Sequence, residues 1–219
     1  MTAPLIHGGR PVPYIAGWTA EPHTSPRVIP VVHRGVPGVG YAIEQFMDRD
    51  DQGRLWARQK WAPGSGNPVY DSVHTARQRQ TMQHLRCQVC SGSTLLDSGE
   101  RLWLLGARPG VQGPVREGEV TASPPICPPC ARTALESCPH LRRGAVAARV
   151  RYAPLWGVAG IRYARHGTSL RPVPADDLEL VSDEAPGMPW VLAHRLAVAL
   201  RETTLVSLTA LRTGDLVRS

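Results

Sequence analysis

The chain of 219 residues has almost no lysine: Lys60 is the only one among 25 basic residues, the rest being arginine. It also has no long hydrophobic run. Its apolar stretches break within a few residues, far short of the ~20 needed to cross a bilayer, which argues against a spanning helix and a membrane partner. Met1 to Arg27 has no charged start followed by an apolar core, so no signal peptide is expected and the expected location is cytoplasmic. Catalytic signatures are missing too. HExxH, GxSxG and Walker A patterns do not occur, and Gly35, Gly38 and Gly40 are not spaced as GxGxxG. Five cysteines, an odd number, in a reducing compartment speak against a disulfide framework.

What is present is an ordinary globular composition, 42% hydrophobic and 20% charged, with a net charge of +7. The 21 glycines and 21 prolines limit long helices and favour short strands joined by turns. The expected fold class is α+β, with short antiparallel strands and a few helices around a metal module. Residues 1–37 read as a proline-rich arm with one strand at Val28 to His33. Residues 38–72 read as a β-hairpin region, Val39 to Phe46 pairing with Arg54 to Gln59 across the turn residues Asp48 to Gly53. Residues 73–144 combine a helix over Val73 to Leu85, capped by Ser72 or Asp71, with the cysteine module. Residues 145–219 begin with strands at Ala145 to Arg151 and Trp156 to Arg165 and continue through an acidic connector at 176–184. Pro189 to Glu202 then predicts an amphipathic helix with Trp190, Leu192, Ala193, Leu196, Ala197 and Leu200 on its apolar side. Leu205 to Leu211 closes the chain as a strand or short helix.

The strongest local signal is Cys87-Gln-Val-Cys90 followed, 36 residues later, by Cys127-Pro-Pro-Cys130. Two residues between cysteines let both sulfurs of a tight turn point at one ion, and two such turns complete a tetrahedron. Four thiolates suit a structural Zn2+, although iron fits the same ligand geometry. Ser91-Gly92 ends the first turn, with Gly92 free to take a positive φ. Thr94 to Asp97 and Arg101 to Leu105 pair as strands about Ser98-Gly99. Pro128 and Pro129 suit the first turn of a helix running to Ser137. Cys138, eight residues beyond Cys130 and about 12 Å along a continued helix, lies too far away to share that metal. With His140 it reads as a structural residue ending the helix. Turn, hairpin, then turn at a helix start resembles the treble-clef zinc-finger superfamily over residues 84–140. The whole chain also resembles uncharacterised actinobacterial proteins that share Cys-x-Val-Cys and Cys-x-Pro-Cys-Ala, followed by Cys-Pro near Arg-Arg. The resemblance implies a zinc module and no particular activity.

Four cysteines close a metal's shell and leave no position for a catalytic water. Residues 91–126 contain no histidine to act as a nuclease base, and no His-x-Glu precedes the second pair as deaminase chemistry requires. An enzymatic alternative must therefore draw on residues such as His33, His74, Tyr152, His166 or Arg171. Charge points elsewhere. Arg132, Arg142, Arg143, Arg149, Arg151, Arg162, Arg165 and Arg171 lie in one segment whose only acid is Glu136. Tyr152, Trp156 and Tyr163 are interleaved with them and are suited to stacking on bases. The leading expectation is a zinc-stabilised protein binding DNA or RNA through Arg142, Arg143, Arg149, Arg151, Arg162 and Arg165. A solvated face that pairs with the acidic connector, or an adaptor for an acidic protein, remains the alternative use of the same arginines.

Overall fold

The computed structural model describes residues 4–24, 26–106 and 113–213; the first three residues of the proline-rich arm lie outside them. Strands β1 (Leu5–His7), β2 (Arg10–Val12), β3 (Ala16–Trp18), β4 (Val28–His33), β5 (Val36–Tyr41), β6 (Leu55–Trp56) and β7 (Pro68–Val73) precede helix α1 (Thr75–Gln83). Strands β8 (Arg101–Gly106) and β9 (Val120–Thr121) then lead to helices α2 (Pro128–Ser137) and α3 (Pro139–Arg142). Strands β10 (Ala145–Tyr152), β11 (Leu155–His166), β12 (Ser169–Pro172), β13 (Glu179–Ser182), β14 (Val191–Ala199) and β15 (Arg201–Val206) follow, with helix α4 (Leu208–Thr213) last. The expected α+β balance is overturned. Among the described residues strand far outweighs helix, and the longest helix among them has ten residues. None is long and apolar enough to cross a membrane.

The frame is a bent ribbon. The segment β10–β11 runs antiparallel to β14–β15, and both switch sheets at one corner, where the Ala199 amide donates to the Pro154 carbonyl at 3.0 Å. On one side of the corner the order is β15-β10-β8; on the other it is β12-β11-β14-β6, with β13 on β11 and β9 on β14. Strand β8 is buried on both faces. Alternation sends Trp103 and Leu105 into the main core with Val150, Val158, Leu196 and Val198. Leu102 and Leu104 face a second core containing Ile126, Leu135 and Leu211 together with Cys87, Cys90 and Cys127.

The amphipathic helix expected over Pro189 to Glu202 is strand β14 followed by the start of β15. Apolar residues spaced for a helix are also what a strand covered on both faces requires, and Leu196 to Ala199 are all buried. Helix α1 forms close to its expected span and supplies that cover. β14 has parallel partner β6 at Leu192 and Ala193 and antiparallel partner β9 at Val198 and Ala199, with no strand on that edge at Leu196. The buried Gln78 side chain takes the missing strand's place. Its amide donates to the carbonyls of Leu196 (2.9 Å) and Ala122 (2.8 Å), and its oxygen accepts from the Leu196 amide at 2.8 Å. Gln78→Leu, similar in size, is expected to lower unfolding free energy by about 2–3 kcal/mol in denaturant titrations, because these groups lose their partner without gaining water.

Two local expectations also change. The hairpin is β4–β5, closed by Arg34 and Gly35 at φ 49° and 80°, a two-residue turn whose twist matches the flanking strands. Val39 to Phe46 is therefore not paired with Arg54 to Gln59; residues 44–58 form a loop that carries a single 3-10 turn at Phe46–Asp48 and the two-residue strand β6, tied by Arg49–Glu44, Arg54–Asp50 and Arg58–Asp48 ion pairs. The α1 cap is neither Ser72 nor Asp71 but His74, whose Nδ1 accepts from the Arg77 amide at 3.4 Å.

Candidate metal centre and the arginines around it

Helix α1 delivers the first cysteine pair. It ends with Leu85 in the left-handed region (φ 47°), the Leu85 amide donating to Met82 and the Arg86 amide to Thr81, which satisfies two terminal carbonyls and turns the chain. Cys87 follows, fully buried. Its amide donates to the Gly92 carbonyl at 2.9 Å, and the Ser91 amide donates back to its carbonyl at 2.8 Å. Ser91, not Gly92, adopts the positive φ, at 56°. The Val89 amide points at Cys87 Sγ, 3.4 Å away. From outside, the N-terminal arm clamps this turn: the Tyr14 and Ile15 amides donate to the Val89 and Gln88 carbonyls.

The second pair is set by β8 and α2. The Ile126 amide donates to the Leu102 carbonyl, and Cys127 is the N-cap residue of α2, with prolines in the first turn as expected. The four sulfurs of Cys87, Cys90, Cys127 and Cys130 all lie within 4.8 Å of one another. Cys90 and Cys127 Sγ are 3.7 Å apart, far beyond a disulfide bond. A tetrahedral thiolate site with metal–sulfur bonds of about 2.3 Å has edges of roughly 3.8 Å, so the spacing fits. No second cluster of this kind occurs among the described residues.

The electrostatics agree with a cation between the sulfurs. Hydrogen bonds from Cys127 and Cys130 outweigh burial at Cys87 and pull its thiol down to about 2. At Cys127 the Cys130 thiol pulls downward, but the charge held on Cys87 and burial push it up to about 12. Cys130 is driven up by Cys127, by Cys87 and by burial. Sulfurs this close oppose one another's ionisation. A divalent ion removes that conflict by stabilising every thiolate at once. Cys138 is not one of the four; it ends α2 and starts α3. His140 packs its ring against Gly106.

The six arginines read as a nucleic-acid face are spread over α3 and its C-terminal end, β10 and β11. Arg149 and Arg151 share a face of β10, as expected from their spacing, and have carboxylates nearby: Glu100 at 3.6 Å and Glu202 at 3.7 Å. Arg162 on β11 meets Glu179 of the acidic connector at 3.0 Å, and Arg165 stacks over Trp190. Arg142 and Arg143 are exposed next to the cysteine module, Arg142 donating to the Glu136 carbonyl. The sequence reading missed a groove of about 490 Å3 beside the first cysteine turn, lined by His84, Arg86, Ser91, Ser93, Thr94 and Arg101. Among the described residues, neither Arg86 nor Arg101 has a carboxylate within 4.0 Å. Arg101 was hard to find because it lies in the hairpin between the cysteine pairs, outside the densest arginine segment.

The residues considered for catalysis occupy separate elements: His33 on β4, His74 at the α1 cap, Tyr152 on β10, His166 on β11 and Arg171 on β12. His74 is fully buried, its Nε2 3.1 Å from the Lys60 carbonyl. Burial, then the nearby Arg77, lower its pKa. The comparisons lend no support to the treble-clef or actinobacterial resemblance: no family model, curated protein or solved structure matches the chain.

Proposed function

We propose that the protein is a non-enzymatic binding module, stabilised by Zn2+ on Cys87, Cys90, Cys127 and Cys130, that holds a nucleic-acid backbone against the surface around this centre. The order of its parts supports a treble-clef-like module: cysteine turn, the Arg101 strand, then a cysteine turn at a helix start. The observation that carries the partner is the groove beside the first cysteine turn, whose lining includes Arg86, Arg101 and His84 and no acid. Arginines already facing Glu100, Glu202 and Glu179 have less to offer a phosphate. Arg86 and Arg101, which line that groove, have no carboxylate within 4.0 Å among the described residues. Phosphate contacts of this kind produce affinity that falls steeply with salt and depends little on sequence.

Fluorescence anisotropy with generic DNA and RNA across a salt series tests this reading. Arg86→Ala and Arg101→Ala are each expected to weaken binding and to reduce the slope of log K against log salt by about 0.7–0.9 for every phosphate left without its arginine. Absence of binding at low salt overturns the proposal. A second reading, an adaptor for another protein, is favoured by one feature of the 44–58 loop and its approach. Ile43, Phe46 and Met47 are 79, 96 and 68% exposed although ion pairs hold their backbone in place. Co-purification of a protein that Phe46→Asp releases would select it.

A further inference from the structure

A separate cleft of about 320 Å3 lies between β7 and β14, lined by His23, Asp71, Ser72, Leu178, His194 and Arg195, among others. Its chemistry originates in a register shift. Ala193 pairs with Gly160 and Arg195 with Ala159, leaving His194 as the extra residue of a β-bulge. A side chain at Gly160 would collide with the Leu192 carbonyl, so glycine permits the close approach there. Regular alternation would send His194 and Arg195 to opposite faces. Both instead line this cleft.

The bulge leaves two polar groups short of partners. Arg195 is half-buried and, among the described residues, has no carboxylate within 4.0 Å. Burial lowers its pKa, and the charge of Asp177 offsets this only in part. His194 Nε2 is shielded from solvent and has no hydrogen-bond partner, while its ring lies 5.2 Å from that of His23. Burial, then His23 and Arg195, push His194 down to about 4, so it is neutral at pH 7. A half-buried charge with no carboxylate within 4.0 Å and a buried ring nitrogen without a partner are both costly. With His194 protonated at Nε2, one ligand class answers both, an anion bearing acceptor oxygens.

We propose that this cleft binds a small molecule through its oxyanion, a carboxylate or a phosphate, with Arg195 as counter-charge and Ser72, His23 and His194 as hydrogen-bonding partners. Asp71, the acid in the lining, favours molecules that carry a hydroxyl or ammonium group beside the oxyanion. The volume is within the range of small-molecule sites. The site stands apart from the cysteine centre and does not depend on nucleic-acid binding.

Imidazole and arginine side-chain NMR of the full chain tests the assignment, with inorganic phosphate and, separately, glycolate as probes. At least one probe is expected to shift His23, His194 and Arg195 Nε saturably, and the tighter of the two identifies the oxyanion. Arg195→Gln should weaken it at least about tenfold, the loss of a charge-assisted hydrogen bond, whereas Arg195→Lys should retain most of the affinity. Ser72→Ala, on the other wall, gives a smaller loss and reports on the cleft even if the glutamine variant misfolds. Shifts that rise linearly with neither probe saturating, or equal affinity in Arg195→Gln and the parent, overturn the proposal. So does nickel chloride perturbing the two histidines while neither anion does, which would identify a metal site.

Discussion

Removing the Zn2+ proposed for the four-cysteine centre is expected to unfold the region around it and to abolish the cooperative thermal transition of the purified protein. The second core is built on the cysteines themselves: Cys87, Cys90 and Cys127 are part of it, with Leu102, Leu104, Ile126 and Leu135 packed around them. Structural zinc contributes about 10–16 kcal/mol in finger peptides, as much as or more than the roughly 5–15 kcal/mol that holds an entire domain folded. Elemental analysis should find one zinc per chain. A strong chelator should remove near-ultraviolet circular dichroism, and Cys127→Ser should reproduce that loss at neutral pH. Hydrogen exchange adds locality, since amides 87–92 and 126–135 should lose protection first. A metal-free chain that keeps its melting transition would show that packing alone holds these turns together.

Breaking the Glu21–Arg77 pair is expected to cost about 3–5 kcal/mol, roughly 8–15 °C in Tm. Both side chains are buried, at 2% and 1% exposure, and the pairing is bidentate with both contacts at 2.6 Å. Glu21 also accepts the Trp18 and Ala62 amides, Arg77 donates to the Ala16 carbonyl, and Trp61 stacks on the guanidinium. One ion pair therefore binds the N-terminal arm, the segment after β6 and helix α1. Glu21→Ala leaves a buried cation without a counter-charge, whereas Glu21→Leu with Arg77→Met removes both charges and should recover most of the loss. Denaturant unfolding of the three chains measures this. Burial raises the Glu21 pKa, but Arg77 and the Ala62 amide outweigh it and hold it below the ordinary carboxylate value. Its contribution is therefore complete above the unfolded-state pKa and disappears as pH falls through the folded one. The acid-induced loss of stability below about pH 4.5 should be shallower in Glu21→Ala than in the parent.

Much of the chain was legible locally. The two cysteine pairs were readable because tight turns place sulfurs by spacing alone, and the prolines at 128 and 129 announce a helix start. Helix α1 was readable because Val73 to Leu85 contains no breaker. The strand at Val28 to His33 forms as expected, yet its pairing with Val36–Tyr41 was not legible because Arg34 is an unusual residue at a left-handed position. The loop after β5 offered conventional turn residues and drew the hairpin assignment towards them. Arg77, a residue type ordinarily at the surface, is among the most buried side chains of the described residues.

By itself the sequence pointed to the four cysteines that cluster, the helix start at the second pair and the preference for short elements, since these depend on neighbours along the chain and on what glycine and proline permit. Tertiary structure alone decided that Val191–Ala199 is a strand, because an apolar run buried on two faces has no period that distinguishes it from a helix. It also decided which arginines have carboxylates beside them, because Glu100, Glu179 and Glu202 reach Arg149, Arg162 and Arg151 only through strand pairing. Charge along a chain is additive, but charge on a surface depends on what the fold sets beside it.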